Sequence, residues 1–474
     1  MKTEIKFGTD GWRGVIAENF TFDNVLTVAQ ALSDYVNSSG GKKKKTLVVG
    51  YDTRFMSEKY AQLVAGVLAA NKINVMISDK FLPTPALSLA AKNKSTHGGV
   101  MITASHNPAI FSGIKFKTKL GTSADREVTD AVEKHLGKKA VKKMDYRLAV
   151  DKGLIREADF IKTYITHLKK FVDMRLLNKS SISVAISAMY ATADSLMQRI
   201  LKNSKIKISY VGNEPRCDFN GIQPEPIESN LEHLRRLIKS GNYACGLATD
   251  GDSDRVGLMS EKGTFINSSK AFVMLLLYFM EKKNIRLSAG KTISCSDLID
   301  RVAQAHDIKL TETPIGFKYL ADLMLEGKIE AGCEESGGIG LADYLPERDG
   351  LLAQLLLLEM LAFYKKPVGE ILNYIEKKYG KFYYQRADLE YAGSKKKRVM
   401  SVVSPAKMKK VISIGIKNVK TIDGTKYCLE DGSWLLFRFS GTEPILRIYA
   451  ESDKKDKTSR IIKFAISKVK NELR

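Results

Sequence analysis

Short runs of β-branched residues alternate with segments of helical periodicity along most of the chain, and no other feature constrains the fold as strongly. Residues 46–50 predict a strand, 57–71 a helix, and 73–78 and 99–103 two further strands. The same rhythm recurs with strands predicted at 182–186, 206–211, 245–249 and 292–295. Such alternation is typical of α/β domains whose mixed, mostly parallel sheets are covered by helices.

Breaks in this rhythm divide the 474 residues into four predicted domains. Charged or aperiodic segments at 138–152, 260–267 and 377–393 mark the boundaries. After the last boundary the pattern favours an antiparallel α+β module, with strands near 419–422, 434–439 and 445–451 and a helix from about Lys457. The predicted domains are three α/β units at 1–145, 155–260 and 261–376, and the α+β unit at 382–474.

The chain carries a large excess of positive charge. Lysine and arginine number 76 against 53 acidic residues, a net charge of +23, which favours an anionic partner. Five cysteines without a C-x-x-C pair indicate reduced thiols in the cytoplasm. The first residues carry no secretory apolar segment, and the apolar runs 271–280 and 351–364 are typical of buried helices. We therefore expect a cytoplasmic protein with no membrane partner.

The strongest local motif is 249–255, TDGDSDR, directly after an apolar strand. Asp250, Asp252 and Asp254 are close enough in sequence to repel one another, and a hard divalent cation with oxygen ligands relieves that repulsion. An EF-hand loop is the second interpretation, but it is disfavoured because Arg255 stands where glycine is required. A solvated acidic turn is the simpler alternative, but polar residues at the end of such a strand favour a metal site, and Arg255 suggests an anion beside it.

The second motif, 103–108 (TASHNP), also follows an apolar strand and presents Ser105 next to His106. A turn without chemistry is one interpretation. A Ser-His-Asp hydrolase is disfavoured because no G-x-S-x-G elbow is present. A serine that carries a phosphoryl group fits a neighbouring cation better. Lys115 lies just downstream and would serve as a general acid or base if its neighbours lower its pKa; a solvent-exposed lysine is the alternative.

Three further segments have polar residues among glycines. Residues 438–447 begin RFSGTEP and supply two guanidiniums, hydroxyls and backbone N–H groups, which favour a phosphate clamp over a plain serine-rich hairpin. Residues 332–338, GCEESGG, suit close approach to a ligand, with Glu334 and Ser336 able to bond sugar hydroxyls; a plain turn is the alternative. Residues 7–14, FGTDGWRG, carry one cation, Arg13.

In this order the motifs resemble the α-D-phosphohexomutase family, which includes phosphoglucomutases and phosphomannomutases. The matching segments are FGTDGWRG, TASHNP with GIKFK, DGDSDR, TPIGFK at 313–318, EESGG and RFSGTEP. They run from residue 7 to about 449, so the resemblance covers nearly the whole chain. It implies four domains around a central cleft: a phosphoserine loop in the first, a metal loop in the second, a sugar-binding loop in the third and a phosphate-binding loop in the fourth.

The resemblance also implies an activity and its site. Hexose 1-phosphate and hexose 6-phosphate of glucose or mannose would interconvert through a phosphorylated Ser105 and a 1,6-bisphosphate, which also serves as activator. Mg²⁺ would be held by Ser105, Asp250, Asp252 and Asp254. The resemblance implies three further catalytic residues at the transfer site: His106, Lys115 and Arg255. The substrate-binding residues that it implies are Arg13, Gly316, Lys318, Glu334, Ser336, Arg438, Ser440, Gly441, Thr442 and Arg447. Hexose phosphates are the expected partners, with no specific nucleic acid, and the chain is expected as a monomer or homodimer.

Three positions depart from the family pattern. The loop at 186–193 has no glycine, and residues 111–112 are Phe-Ser where relatives often carry Tyr-Asn. Gly338 stands where some phosphomannomutase- and phosphoglucosamine-type relatives have histidine, which favours the general phosphohexomutase group. A phosphoglucosamine or phosphopentose mutase is an alternative within the family. A basic nucleic-acid-binding protein is the alternative from another class; it requires clustered lysines and aromatics, which are scattered here.

Overall fold

The computed structural model describes residues 5–8, 10–38, 44–283, 287–405, 408–440 and 444–473. These residues form four successive units, each built on its own sheet. The first unit contains β1 Trp12–Val15, α1 Phe22–Ser38, β2 Thr46–Tyr51, α2 Ser57–Ala70, β3 Asn74–Ser78, α3 Thr84–Ala91, β4 Gly99–Ile102, β5 Phe111–Lys117, α4 Arg126–His135, α5 Tyr146–Asp151 and β6 Ile155–Ala158. Residues 155–158, where the second domain was expected to begin, pair with β3 at the edge of this first sheet.

The second and third units repeat the strand-helix alternation. The second contains α6 Phe160–Phe171, α7 Met174–Lys179, β7 Ser183–Ser187, α8 Leu196–Ile200, β8 Lys207–Val211, α9 Glu232–Lys239, β9 Cys245–Thr249, β10 Val256–Ser260 and β11 Phe265–Ile266. The third contains α10 Ser268–Lys283, β12 Ala289–Thr292, α11 Leu298–Ala305, β13 Leu310–Thr313, α12 Phe317–Leu325, β14 Ala331–Cys333, β15 Ile339–Leu341, β16 Leu345–Arg348, α13 Gly350–Tyr364 and α14 Val368–Tyr379.

The fourth unit has a different architecture. It contains β17 Tyr383–Glu390, α15 Lys396–Val402, β18 Lys410–Val411, β19 Ile414–Lys420, β20 Thr425–Leu429, β21 Trp434–Phe439, β22 Ile445–Ser452 and α16 Lys455–Leu473. Its six strands pair antiparallel in the order β17-β22-β21-β20-β19-β18, and the helices pack on the sheet around a separate core. The antiparallel α+β prediction is confirmed, although β17, β18 and β20 were not anticipated, and β17 lies within the segment 377–393 that was expected to be a domain boundary.

The first three sheets share one topology. Their strand orders contain β5-β4-β2-β3, β10-β9-β7-β8 and β15-β14-β12-β13. In each, one central strand pairs parallel on one side and antiparallel on the other: β4, β9 and β14. The polar motifs follow the carboxyl ends of these same three strands, where α/β folds place their ligands. The expectation of three related α/β domains with mixed sheets is confirmed.

Two long helices were anticipated as buried rather than membrane-spanning. The apolar runs lie within α10 and α13, and nearly all the side chains of α13 are buried between the sheets of the second and third units. Within the described part of the chain, no helix combines the length and the apolar character needed to cross a bilayer.

Two residues of the glycine-free loop at 186–193 adopt the left-handed backbone conformation that glycine usually provides. Met189 and Tyr190 have φ values of 50° and 57°. The Tyr190 N–H donates to the carbonyl of Gly212 at 2.7 Å, which holds this conformation. The next hydroxyl, Thr192 Oγ1, donates to the carbonyl of Gly251 at 3.1 Å and lies 2.8 Å from Ser253 Oγ. The loop therefore supports the neighbouring aspartate motif without any glycine of its own.

Candidate active site

The site residues lie mainly on four segments: the serine loop (103–108), the aspartate loop (250–255), the glutamate loop (334–338) and the arginine hairpin (438–447). The serine and aspartate loops meet directly. Ser105 Oγ donates to Asp250 Oδ2 at 2.9 Å, and both side chains are fully buried. A Cβ on Gly251 would clash with the carbonyl oxygen of Ser105, so glycine is required for this close approach.

One buried guanidinium organises the serine loop. Arg54 donates to the carbonyl oxygens of Pro108 and Phe111 through Nη1 at 2.8 and 2.9 Å, and to those of Ser105 and Asn107 through Nη2 at 2.7 and 2.6 Å. Its Nε pairs with Asp52 Oδ2 at 3.1 Å. Five donor groups in a fixed planar fork match such a ring of acceptors, so Arg54 fixes the backbone that presents Ser105. Arg54 was not among the predicted site residues, although it belongs to a charged segment, Asp-Thr-Arg, directly after β2.

The three aspartates of the aspartate loop converge as predicted. Asp250, Asp252 and Asp254 are buried, and one oxygen from each lies within 4.8 Å of the others. Burial and then the neighbouring carboxylates Asp254 and Asp252 hold the pKa of Asp250 well above its usual value. The Oδ1 atoms of Asp252 and Asp254 are buried without a hydrogen-bond partner in the described part of the chain. Orphaned buried carboxylate oxygens are costly, and a hard cation such as Mg²⁺ would satisfy them, so the residues fit that ion.

Lys115 is placed against this cluster, but one expectation about it is wrong. Its Nζ lies 2.9 Å from Asp10, 2.8 Å from Asp252 and 3.2 Å from Asp254. Burial opposes the charge, yet these three carboxylates outweigh burial and raise the pKa of Lys115 above its usual value. The condition of a lowered pKa is not met: Lys115 holds its proton more tightly than an ordinary lysine and is suited to neutralising charge.

Two arginines also lie close to the aspartate loop and the serine loop. Arg255 lies 3.3 Å from Glu225, 3.8 Å from Asp250 and 3.9 Å from Asp254. Arg13 reaches Asn107 of the serine loop through Nη1. Burial, followed by the charges of Arg255 and Arg13, holds the pKa of His106 well below its usual value, so its imidazole is neutral near pH 7. Arg13 and Arg255 thus lie beside the buried carboxylates, where their guanidiniums can also bind the oxygens of an anionic group.

The glutamate loop joins this centre through a residue that the sequence did not reveal. Arg348, the last residue of β16, donates to Glu334 Oε2 at 3.0 Å and to Asp10 Oδ2 at 2.8 Å. Ser336 lies in the turn closed by the Gly337 N–H and the carbonyl of Glu334 at 3.2 Å. Asp10 was not among the predicted site residues although it lies within the glycine-rich motif 7–14; Arg348 has no local signal beyond its charge.

The arginine hairpin forms a second cationic region. Arg438 of β21 and Arg447 of β22 are directly opposed in the register, and the Arg447 Nε is buried with no partner among the residues described. Ser440 is buried at the end of β21, and its N–H donates to the Ile445 carbonyl at 2.9 Å. Gly441 and Thr442 lie outside the described residues. In the described chain, no hydrogen bond or ion pair joins Arg438 or Arg447 directly to Ser105.

The segment at 313–318 is brought against the hairpin by one carboxylate. Asp423 Oδ2 accepts from the N–H of Ile315 at 3.0 Å and from Arg438 Nε at 2.9 Å. Gly316 has φ of +132° and precedes α12, and Lys318 lies in the first turn with its Nζ 4.9 Å from the ring centroid of Tyr319. The predicted residues therefore form two groups, one around Ser105 and one around the hairpin.

Comparison with known proteins identifies this arrangement. Models of the "Phosphoglucomutase/phosphomannomutase" α/β/α domains I, II and III match residues 4–143, 162–263 and 267–379, and that of its C-terminal domain matches 393–466. A phosphoglucomutase/phosphomannomutase of Thermococcus kodakarensis is 30% identical over 471 residues, covering 99% of both chains. A phosphoglucosamine mutase of Methanocaldococcus jannaschii is 30% identical over 472 residues, covering 98% of both.

A solved structure shows the same architecture. A protein of Thermus thermophilus assigned as a phosphomannomutase superposes with a TM-score of 0.86 at 31% identity, over 99% of this chain and 100% of that one. The four matching domain models, the near-complete coverage and the shared fold lead to one conclusion. The chain belongs to the phosphoglucomutase/phosphomannomutase family and is a phosphohexomutase-type enzyme.

Proposed function

We propose that this enzyme interconverts hexose 1-phosphate and hexose 6-phosphate, with glucose and mannose as the sugars, through a phosphorylated Ser105 and a 1,6-bisphosphate. The observation that carries the proposal is the 2.9 Å hydrogen bond from Ser105 Oγ to Asp250, beside two further buried aspartates. A hydroxyl on a fixed loop, next to carboxylates suited to a cation, is the arrangement that phosphoryl transfer requires.

The residues around Ser105 divide the work of the transfer. Asp250, Asp252 and Asp254, with an oxygen of the phosphorylated Ser105, would hold Mg²⁺, which supplies charge neutralisation at the phosphoryl group when bound. Arg13 and Arg255 would bind the phosphoryl oxygens, and neutral His106 would pack beside them without adding charge. In the transfer from Ser105 to the sugar, the proton that the attacking hydroxyl loses would end on the serine oxygen from which the phosphoryl group departs. Lys115, protonated in this setting, would neutralise the charge that develops on that oxygen.

The substrate would span the two groups of residues. Glu334 and Ser336 would accept and donate hydrogen bonds to sugar hydroxyls that both orientations of the intermediate present. The phosphate that is not reacting would be held by the arginine hairpin and the segment beside it: Arg438, Ser440, Gly441, Thr442, Arg447, Gly316 and Lys318. The orphaned Arg447 Nε supports this role, because a buried unpaired N–H gains most from an anionic acceptor.

A second candidate substrate is glucosamine phosphate. The Methanocaldococcus jannaschii relative named for that substrate is as similar as the relative named for glucose and mannose. Gly338, in place of the histidine found in some phosphoglucosamine-type relatives, favours the neutral hexoses. A Cβ added at position 338 would lie against the side chains of Arg348 and Glu334, so a larger residue there would crowd the glutamate loop.

Phosphorus NMR tests the proposal and separates the substrates. The protein is incubated with Mg²⁺, a trace of glucose 1,6-bisphosphate, and glucose 1-phosphate, mannose 1-phosphate or glucosamine 1-phosphate in separate tubes. We expect conversion of the glucose and mannose compounds to their 6-phosphates, and none with Ser105→Ala. Conversion of glucosamine 1-phosphate alone would replace the proposed substrate, and conversion of none of the three would contradict the proposal.

A further inference from the structure

Arg348 is bonded to three carboxylates that come from three separate parts of the chain. Its Nη2 lies 2.8 Å from Asp10 Oδ2 and 2.9 Å from Asp254 Oδ2, and its Nη1 lies 3.0 Å from Glu334 Oε2. The guanidinium is 8% exposed, and the carboxylates of Asp254 and Glu334 are 2% and 5% exposed. One buried cation therefore connects the N-terminal motif, the aspartate loop and the glutamate loop.

The two loops that Arg348 joins have different tasks in the proposed reaction. Asp254 faces the point where the cation and the phosphoryl group would be held, and Glu334 is the acceptor for sugar hydroxyls. Both carboxylates are buried, so without a shared cation they would repel each other in a medium that screens charge poorly. Burial raises the pKa of Glu334 and Arg348 opposes that rise, which fits a role in keeping Glu334 an ionised acceptor.

We propose that Arg348 is a positioning residue that fixes the spacing between the sugar acceptor Glu334 and the aspartate loop at Asp254. The inference rests on the proposed function, and it adds how the sugar ring is kept in register with the reacting phosphorus. Backbone packing supports the same close approach. Cβ atoms on Gly337 and Gly350 would clash with backbone oxygens at 253–256. The glutamate loop and the start of α13 are therefore in direct backbone contact with the end of the aspartate loop.

The spacing matters because phosphoryl transfer depends on alignment more than on covalent chemistry. A misplacement of about 1 Å between reacting groups costs roughly 100-fold in rate. Lysine would retain the positive charge at position 348, but its single ammonium group does not present the planar fork with which arginine bonds two acceptors at once. Arg348→Lys therefore removes the geometry while conserving the charge.

A matched control lies one residue away. Glu347 Oε2 forms an ion pair with Lys117 at 2.8 Å, which also joins the first and third units. Glu347 Oε1 accepts from the backbone N–H of Arg348 at 3.1 Å, a bond that glutamine can retain, and the side chain contacts neither Asp254 nor Glu334. Glu347→Gln tests whether weakening any contact between the first and third units lowers kcat as much as Arg348→Lys does. We expect Arg348→Lys to lower kcat by about 30- to 100-fold with a smaller change in KM, and Glu347→Gln to change kcat by less than about threefold.

Two further measurements decide whether Arg348 acts through its partners. In a double-mutant cycle at saturating Mg²⁺, Arg348→Lys combined with Glu334→Gln should reduce kcat/KM by clearly less than the product of the two single effects, because the two side chains share one interaction. Calorimetric titration with Mg²⁺, in the absence of any sugar, should show about 10-fold weaker binding in Arg348→Lys than in Glu347→Gln, as is usual when the support of a metal ligand is lost.

The outcomes distinguish this inference from the proposed function. If the wild-type protein converts hexose phosphates while the two substitutions in the cycle are fully additive, or Mg²⁺ affinity is equal in Arg348→Lys and Glu347→Gln, Arg348 is not the link and the inference is overturned. If the wild-type protein converts no hexose phosphate, the proposed function fails instead. A Tm of Arg348→Lys close to that of Glu347→Gln shows that the comparison is made between folded proteins.

Discussion

Thr84 Oγ1 donates a 2.6 Å hydrogen bond to Asp252 Oδ2, and the Thr84 N–H donates to the Asp252 carbonyl at 2.9 Å. Thr84 is the first residue of α3, so a helix of the first unit begins directly against the aspartate loop of the second. Asp252 Oδ2 also accepts from Lys115 at 2.8 Å, while Oδ1 has no partner among the described residues. These bonds orient the carboxylate so that its free oxygen is the one available to a cation.

Loss of the Thr84 hydroxyl should therefore weaken metal binding. Thr84→Val conserves shape and removes the hydrogen bond, and we expect Mg²⁺ to bind about 10-fold more weakly by calorimetric titration. Ser88→Ala is the control, because Ser88 lies on the same helix and its buried hydroxyl finds no partner within the described ranges. Equal affinities in the two variants would contradict the role given to Thr84.

Replacement of the serine that receives the phosphoryl group should abolish turnover. We expect Ser105→Ala to lower kcat at least ~10³-fold, as is usual when a nucleophile is removed, with little change in Tm. Phosphopeptide mass spectrometry should find phosphate on Ser105 of the wild-type protein. Ser112→Ala removes a buried hydroxyl on β5 that bonds to no other described residue, and it should leave the rate unchanged. A phosphopeptide elsewhere, with normal turnover in Ser105→Ala, would refute the assignment.

The arginine hairpin should contribute to binding more than to the chemical step. Loss of a hydrogen bond to a charged group costs about 1.5–3 kcal/mol, so Arg447→Ala should raise KM for hexose phosphates by roughly 10- to 100-fold. The smaller effect should be on kcat, measured in the same coupled assay. Arg398→Ala makes the same charge change on an exposed position of α15 and should leave KM unaltered. An unaltered KM in Arg447→Ala would move the phosphate site elsewhere.

Asp349 should make the stability of the fold pH-dependent. Its carboxylate accepts from Tyr164 at 2.8 Å, Tyr344 at 3.0 Å and the Leu352 N–H at 3.0 Å, and burial raises its pKa to about 6. In the unfolded chain the pKa is about 3.9. Between these values the unfolded state releases its proton first, so the contribution of Asp349 to stability falls as pH rises through about 6.

Asp349→Asn keeps an oxygen acceptor and does not titrate. Its free energy of unfolding should therefore improve relative to wild type between about pH 4 and pH 6.5, by up to about 3 kcal/mol. Urea unfolding at a series of pH values measures the difference. Asp343→Asn, at an exposed position nearby, should show a flat difference from wild type. A flat difference in Asp349→Asn as well would show that Asp349 does not titrate as described.

Several elements of the fold and site were predictable because their signals are local. An apolar strand followed by Asp250–Asp254, or by the loop that carries Ser105, is visible in a few consecutive residues. The structure places both loops at the carboxyl ends of strands, as that pattern predicts. The alternation of strands and helices in the first three units was equally recognisable in the sequence. Strands β17, β18 and β20 were missed, and β20 carries Lys426, which is polar in sequence. The lysine is nonetheless buried, with its Nζ 4.1 Å from the Trp434 ring centroid.

The unpredicted residues derive their roles from distant contacts. Arg348 and Asp10 are 338 positions apart, and Arg54 bonds to carbonyl oxygens more than fifty positions later in the chain. Nothing in the residues beside Arg348 distinguishes it from the many other charged positions. The direction of the Lys115 pKa shift was missed for the same reason, since it depends on Asp10 and on carboxylates from the next unit.

The bonds of Arg348 also bear on the chain during its synthesis. The serine and aspartate loops leave the ribosome long before residue 348, whose guanidinium must then return to Asp10 near the beginning of the chain. Until that closure, the carboxylates of Asp10 and Asp254 are paired with Lys115 but lack the second cation, which Arg348 supplies. The set of contacts around Asp254 is therefore completed only after the third unit has left the ribosome and packed against the first two.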